Sequence, residues 1–451
     1  MRYVTDDAGG TVVTEKPPTA DRVERVASVD ALRGLVILLM IFVNDVAGVG
    51  RAPSWLKHVG VDADAMTLPD VVFPAFLFIA GLSIPLSLQR GAESGQTKAR
   101  LLVKVLARTF ALLVMGVMMV NGESHNPWYR GSWGLLAYLA MILAFMAPPR
   151  DPARGRKAWL AVRLTGVVAL IVLVLTYRTE KGEPLVLGPW LMSGDTVWLR
   201  HSWWGILGLI GWAYLVASLI YLAFGRRREW LIGATAMLAL LYVSLYVAER
   251  KDLFSPVDSG AWLAWPAPVI RQVQSVFDWV NSHVSVRSSL GSLASISMAG
   301  CCLGSILAPG SEMRTHGERL RWTIVFGLWL AVAAVLFDPL FGINKIRATP
   351  AWCFICAFLT TVTWVVLYWL MDVRGYRVWS IVVRPAGVNP LLAYILHPML
   401  YLLAGITGIP LWFYKSPELP VFVNILGCLM MAFFVVGLTG LITRLGYRMK
   451  A

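Results

Sequence analysis

Apolar runs long enough to cross a lipid bilayer recur along almost the whole chain. A membrane-spanning helix needs about 20 mostly apolar residues, and on that criterion we predict twelve spans. They lie near residues 30–50, 67–88, 101–120, 132–148, 158–177, 203–224, 230–248, 289–308, 322–341, 351–371, 388–404 and 419–442. Since a backbone in hydrocarbon must satisfy its own hydrogen bonds, these segments should be helical. The sequence therefore predicts an all-α polytopic membrane protein, a bundle of about 10–12 transmembrane helices.

The composition agrees with a membrane protein and argues against a nucleic-acid partner. Of the 451 residues, 57% are hydrophobic and only 15% are charged, whereas soluble domains carry about 25% charged residues. The mean hydropathy is +0.65, and the 20 tryptophans suit the interfacial belts of membrane proteins. In this setting the net charge of +14 indicates membrane topology and contact with anionic lipid. Membrane lipid is thus an expected partner and nucleic acid is not.

The distribution of basic residues predicts that both termini are cytoplasmic. Residues 1–27 are polar and have no apolar run, so we predict a disordered cytoplasmic tail there and one transmembrane domain over 28–451. Alternate connections are rich in Lys and Arg, including residues 150–157, 225–229 and 374–384. Because cytoplasmic loops carry the basic excess, this alternation places His58 on the outer side.

The cysteines give no sign of a disulfide framework or a metal site. All five lie inside apolar spans: Cys301, Cys302, Cys353, Cys356 and Cys428. Cys353 and Cys356 have the spacing of a redox motif, but their neighbours are apolar and no partner pair exists. We predict small buried side chains, and we expect no metal.

The long outer segment 249–288 contains a predicted surface helix. Residues Val269–Trp279 have an amphipathic pattern that suits a helix lying on the membrane surface. Trp262 and Trp265 just before it have two interpretations, stacking on a sugar ring or anchoring at the interface, and the anchor is favoured.

Ionisable residues within spans are costly and mark candidate sites. On the first span, Arg33 either pairs with Asp30 three residues earlier or extends to the lipid headgroups. Asp338 and His397 lie deeper in later spans.

A histidine and a carboxylate flank the start of the second span. His58 lies in a polar loop, and an imidazole near neutral pH can take a proton from an attacking amine or hydroxyl. Asp70 stands where it either closes a capping box with Thr67 or orients the imidazole. Asn44 ends the first span on the same side, so we expect Asn44, His58 and Asp70 to converge as a catalytic group.

Four segments resemble the heparan-α-glucosaminide N-acetyltransferase family of transmembrane acyltransferases. They read "SVDALRGLVILLMIFVND", "KHVGVDADAMTLPDVVFPAFLFIAGLSIPLSL", "FGINKIRATPAW" and "GVNPLLAYILH", and together they cover the first hairpin and the last third of the chain. The resemblance implies acetyl-CoA as cytosolic co-substrate and an amino sugar or glycan as acceptor on the other side. It also implies a multi-pass protein of the bacterial inner membrane, and it leaves a homodimer open.

The resemblance also implies roles for individual residues. His58 falls on the catalytic histidine and Asn44 on its first-helix partner, while Asn344, Lys345 and Asn389 fall on further motif positions. We expect Arg33 and those three to bind the cofactor. The fourth span departs from the family, since Ala137 and Tyr138 stand where many relatives carry a Gln-Arg pair, so that pair's role does not transfer to this chain.

Several alternatives remain open at this point. Other cations for the phosphates of CoA are Lys98, Arg100, Lys104 and Arg108, or Arg374, Arg377 and Arg384, and each of them also suits topology and lipid headgroups. Direct attack by the acceptor is preferred to an acetyl-histidine intermediate, which the residues do not exclude. A transporter or flippase is the rival class, and a structural partner in envelope assembly is a third.

Overall fold

The computed structural model of the chain describes residues 2–5, 11–14, 26–122, 125–129, 131–148, 155–178, 182, 204–251, 267–411 and 414–450. Near the amino terminus, strands β1 (Arg2–Thr5) and β2 (Thr11–Thr14) pair antiparallel, with Arg2 opposite Thr14. The remainder of the predicted disordered tail before residue 26 lies outside the described residues, and the prediction for the tail remains untested.

Fourteen α-helices make up the described part of the chain. They are α1 (Ala27–Val46), α2 (Leu68–Glu93), α3 (Lys98–Val120), α4 (Trp133–Ala144), α5 (Arg156–Thr176), α6 (Gly205–Phe224), α7 (Arg228–Lys251), α8 (Ala267–His283), α9 (Leu293–Leu307), α10 (His316–Phe341), α11 (Pro350–Tyr368), α12 (Arg384–Val388), α13 (Pro390–Thr407) and α14 (Val421–Arg444). A π-helical segment, Val286–Ser292, leads into α9, and another, Trp369–Val373, extends α11.

Eleven of the twelve predicted membrane spans are confirmed. Among the described residues, eleven helices are long and apolar enough to cross a bilayer, and α4 is a shorter apolar helix at the position of the remaining predicted span. Large apolar side chains stand exposed on outward faces, for example Leu164 on α5, Val335 on α10 and Met430 on α14. Extensive apolar surface of this kind suits contact with lipid. The chain is therefore an all-α polytopic membrane protein.

Contacts between loops establish which helix ends lie together. At one end, Arg226 pairs with Glu93 at 3.5 Å and donates to the carbonyl of Gly310 at 2.6 Å. At the other end, the loop before α2 contacts the loop before α11, where Asn344 donates to the carbonyl of Val61 at 2.9 Å. We call these the Arg33 end and the His58 end, after a residue at each.

Glycines allow the helices at the centre of the bundle to touch. A Cβ atom on Gly81 of α2 would lie 1.8 Å from the carbonyl oxygen of Ser297 on α9, and one on Gly300 would lie 1.9 Å from that of Phe78. Only glycine fits so close a backbone contact. The π-helical segment and α9 together are almost wholly buried. This packing fixes α2, whose first turn carries Asp70.

Helix α4 is shorter than the predicted span 132–148 because its continuation pairs with the carboxyl terminus. The amide of Ala147 donates to the carbonyl of Arg448 at 2.7 Å, and the amide of Lys450 donates to the carbonyl of Phe145 at 2.9 Å. This nonlocal pairing ends the helix inside the predicted apolar run.

Two further predictions are confirmed. The five cysteines are buried and unbridged. The amphipathic segment is helical, as α8, and the carbonyl of His283 at its end accepts a hydrogen bond from the indole of Trp204 at 2.8 Å. Its position on the outer membrane surface stays a prediction. Trp262 and Trp265 lie outside the described residues.

Candidate active site

The loop that carries His58 is held in place by the loop between α10 and α11. The side-chain amide of Asn344 donates to the carbonyls of Val61 and Ala63, both at 2.9 Å, and more weakly to that of Gly60 at 3.3 Å. The amide of Ile343 donates to Asp64 at 2.6 Å. Asn344 is buried, so its side chain positions the His58 loop.

Asp70 uses its two carboxylate oxygens for two different tasks. Oδ2 accepts from the backbone amide of Thr67 at 3.1 Å and from its hydroxyl at 2.9 Å, which completes a capping box at the start of α2. Oδ1 lies 2.7 Å from Nδ1 of His58. The two sequence interpretations of Asp70, cap and partner of the imidazole, thus both describe the observed geometry.

The short contact between Asp70 and His58 favours one imidazole tautomer. An ionised carboxylate has only acceptor oxygens, so in the tautomer that makes this 2.7 Å hydrogen bond Nδ1 carries the proton. A neutral imidazole with Nδ1 protonated presents an unprotonated Nε2. Because the His58 side chain is 46% exposed while Asp70 is buried, Nε2 is accessible and can accept a proton.

Lys345 supplies the positive charge that balances buried Asp70. Its ammonium nitrogen lies 3.6 Å from Oδ1 of Asp70 and 3.1 Å from Nδ1 of His58. Burial lowers the pKa of Lys345, and the charge of Asp70 partly offsets that effect. Behind the group, the indole of Trp352 donates to the backbone carbonyl of Asp70 at 3.1 Å.

Asn44 lies apart from this group. Within the described part of the chain, no hydrogen bond joins Asn44 to His58, and the exposed Asn44 side chain lines a separate cavity of about 630 Å³ at the His58 end. We call it the His397 cavity. It also contains Asp45, Tyr138, Tyr401 and Lys415. The structure therefore joins His58 and Asp70, adds Lys345, and places Asn44 elsewhere on the same end.

The other predicted cofactor residues lie at the Arg33 end, where they connect helices. The guanidinium of Arg33 donates to Asp30 at 3.2 Å, to Ser83 at 2.9 Å and to the carbonyl of Gly387 at 3.1 Å. The pair with Asp30 agrees with the pairing interpretation, whereas the connection of α1, α2 and α12 was not predicted. Any contact of Arg33 with CoA stays a prediction.

Asn389 ties the carboxyl-terminal segment to the start of α13. Its side chain is buried, donates to Thr443 at 3.1 Å and to the carbonyl of Tyr447 at 3.2 Å, and accepts from the amide of Met449 at 3.1 Å. These contacts position the neighbouring Lys450.

Lys450 belongs to a cationic cavity of about 860 Å³ at the Arg33 end. Its lining includes Lys104, Arg108 and Arg163 and contains no acidic residue among those the structure describes. The remaining walls are mostly apolar and follow α5 as far as Leu175. Of these cations the sequence pointed to Lys104 and Arg108. Arg163 and Lys450 were missed because only the contact between Phe145–Ala147 and the carboxyl terminus brings the two together.

The comparisons with known proteins agree with the motif resemblance. Residues 25–187 match a family model described as a domain of unknown function, DUF5009. A 98-residue stretch is 41% identical to the heparan-alpha-glucosaminide N-acetyltransferases of Homo sapiens and Mus musculus. That stretch covers 22% of this chain and 14% of each relative. The suspected likeness to this family of enzymes is confirmed over that stretch.

Proposed function

We propose that this chain is a transmembrane acetyltransferase that takes acetyl-CoA at the Arg33 end and acetylates an amine or hydroxyl of a glucosamine-type sugar at the His58 end. The observation that carries the proposal is the buried Asp70 carboxylate 2.7 Å from Nδ1 of a half-exposed histidine. This pair supplies an oriented general base with an accessible Nε2. The likeness to two heparan-alpha-glucosaminide N-acetyltransferases supports acetyl transfer to a glucosaminide.

The cationic cavity suits the chemistry of CoA. Phosphates cannot enter hydrocarbon unpaired, and Arg and Lys are their usual partners. Lys104 donates to Gln96 at 2.6 Å at the rim of the cavity, and Arg108 lies 4.7 Å from the centre of the Tyr214 ring. The apolar wall along α5 then accommodates the pantetheine arm. From Arg163 to Leu175 the helix rises by about 18 Å at 1.5 Å per residue, toward the His58 end.

The reaction needs one base. Nε2 of His58 takes the proton from the acceptor nitrogen or oxygen as that atom bonds to the acetyl carbon. The bond from carbon to the CoA sulfur breaks, the electron pair leaves with sulfur, and the proton passes from His58 to the thiolate. Direct attack needs no covalent enzyme intermediate. An acetyl group resting on His58 is the alternative, which isotope labelling of trapped enzyme would reveal.

Topology and location complete the proposal. Eleven long helices and the shorter α4, counted as a twelfth crossing, bring both ends of the helical bundle to the Arg33 end, and the basic loops support the cytoplasm as the side of that end. The membrane is then the bacterial inner membrane, with His58 outside. Cysteines introduced at positions 58 and 227 should respond differently to an impermeant thiol reagent on intact cells. Labelling at position 227 and not at position 58 would mean that the chain has the opposite orientation in the membrane.

A transporter or flippase is the second candidate. His397 lines a cavity, which suits a translocation pathway, and Asp338 is a further ionisable residue within a span. A purified sample decides between the two classes. With labelled acetyl-CoA and glucosamine, an acetyltransferase forms N-acetylglucosamine or an O-acetyl ester in detergent, where no compartment exists, whereas a transporter forms neither.

A further inference from the structure

We infer that the His397 cavity is the binding site for the acceptor sugar, with Asp45 and His397 as the groups that recognise it. The inference rests on the proposed function for the identity of the ligand. The cavity lies where α1 ends, between the ends of α3 and α5 and the middle of α13. Its volume of about 630 Å³ falls in the range of small-molecule sites.

Two buried polar atoms in this cavity lack a protein partner. Oδ2 of Asp45 and Nε2 of His397 form no hydrogen bond with described residues. The two side chains are 1% and 9% exposed, and both line the cavity. Buried polar groups are nearly always paired, so two unpaired ones facing one cavity indicate a polar ligand.

The other contacts of Asp45 fix its carboxylate. Oδ1 accepts from the hydroxyl of Tyr401 and from the ammonium of Lys415, the latter at 3.2 Å. Lys415 also donates to the backbone carbonyl of Asp45 at 2.7 Å. The hydroxyls of Tyr401 and Tyr414 lie 2.5 Å apart. Cys428 also contacts the Asp45 carboxylate. With Oδ1 engaged in this way, Oδ2 is the oxygen that forms no hydrogen bond with described residues and can accept from a ligand.

The chemistry of the lining matches an amino sugar. Oδ2 of Asp45 accepts from an ammonium or hydroxyl, and the imidazole of His397 and the amide of Asn44 bind further hydroxyls. Tyr138 and Tyr177 add aromatic surface to the wall.

The His397 cavity lies between the proposed route of the acetyl group and the loop that carries His58. Leu175 of α5 lines the cationic cavity, and Tyr177, two residues later, lines the His397 cavity. A further chamber shares Gly48, Tyr401 and Lys415 with the His397 cavity and continues along Gly50. The carbonyl of Gly50 accepts from Lys57 at 2.6 Å, next to His58. An acceptor held here thus lies between the end of the acyl route and the loop of the base.

Equilibrium binding of labelled glucosamine to the purified full-length protein, without acetyl-CoA, tests the site. We expect His397→Ala to weaken glucosamine binding at least tenfold and to leave acetyl-CoA binding within twofold, which also reports that the variant is folded. His283→Ala is the matched control, because His283 lies on α8 away from the cavity, and it should bind as wild type. Equal glucosamine affinity of wild type and His397→Ala, or no binding by wild type, overturns the inference.

A second variant, Asp45→Asn, tests the role of the Asp45 charge independently of His397→Ala. Asp45→Asn keeps the shape and the bond from Tyr401 but removes the anion, so we expect it to reduce the preference for glucosamine over glucose in competition. An unchanged preference would exclude Asp45 as the group that recognises the amine.

If wild type binds glucosamine through His397 but transfers no acetyl group, the proposed function fails and the site stands. If transfer occurs and His397→Ala leaves KM for glucosamine unchanged, the site fails and the function stands.

Discussion

The two ends of the bundle use their buried and half-buried polar side chains differently. At the Arg33 end, Arg33 makes two hydrogen bonds to other helices and one to Asp30 of its own helix, and Asn389 makes three to α14 and the carboxyl-terminal segment. At the His58 end, His58 and Asp45 each have one atom engaged by protein and another available. Fully engaged side chains hold the bundle together, whereas partly engaged ones next to a cavity are suited to binding and chemistry.

The largest effect is expected from removing the base. His58→Ala should lower acetyl transfer by about 10²–10⁴-fold, the usual contribution of a general base, with acetyl-CoA affinity nearly unchanged. Turnover of labelled acetyl-CoA with glucosamine measures it, and His283→Ala serves as the histidine control. Near-wild-type turnover of His58→Ala would show that His58 is not the general base.

Asp70→Asn should follow, with a loss of roughly 10²-fold in kcat. The amide oxygen still caps α2, but the anion that holds Nδ1 protonated is gone. Asp70→Ala removes the cap as well and should also cost about 1 kcal/mol of stability. Thermal unfolding of both variants beside their kcat values separates the two tasks. If Asp70→Asn turns over like wild type, Asp70 is only a cap.

The cations of the Arg33 end offer a direct contrast. Arg108→Ala should weaken acetyl-CoA binding about tenfold, in line with the loss of a hydrogen bond to a charged group, and the loss should shrink at high salt. Arg33→Ala should instead lower the melting temperature, since its guanidinium connects three helices. Calorimetric titration of acetyl-CoA into both variants decides the matter. A larger affinity loss in Arg33→Ala would restore the sequence prediction for Arg33.

The loop contact of Asn344 should have the smallest effect on catalysis. Asn344→Ala removes the three side-chain hydrogen bonds that hold the His58 loop, each worth about 0.5–1.5 kcal/mol, so both melting temperature and kcat should fall moderately. Arg347→Ala is the control on the same pair of loops. Its ion pair with Asp62 at 2.8 Å is exposed on both sides, and exposed pairs contribute little. Equal melting temperatures for the two variants would count against a positioning role.

Much of the fold followed from hydropathy, because a span in lipid is set by local composition and length. The twelve predicted segments correspond to the eleven long helices and α4. What the sequence could not supply were contacts between distant residues. The contact of Asn344 with Val61 joins positions far apart in the chain, and no periodicity encodes it.

The candidate site, like the fold, was predictable where its contacts are local in the chain. His58 and Asp70 flank one helix start, so their meeting followed from a local capping motif. The Asn44 side chain lines a different cavity, because the direction in which this side chain points depends on how α1 is rotated against α3 and α13. The role of Lys415 was hidden, since it comes from a loop that only the folded bundle brings to Asp45.

Vesicles that separate the two substrates test the central claim most directly. With the protein reconstituted, labelled acetyl-CoA sealed inside and glucosamine only outside, we predict acetylated glucosamine outside, and none with His58→Ala. With both substrates outside and neither inside, we predict no product, because each end of the bundle serves one substrate. Product formed equally well with both substrates on one side would contradict the division of labour between the Arg33 end and the His58 end.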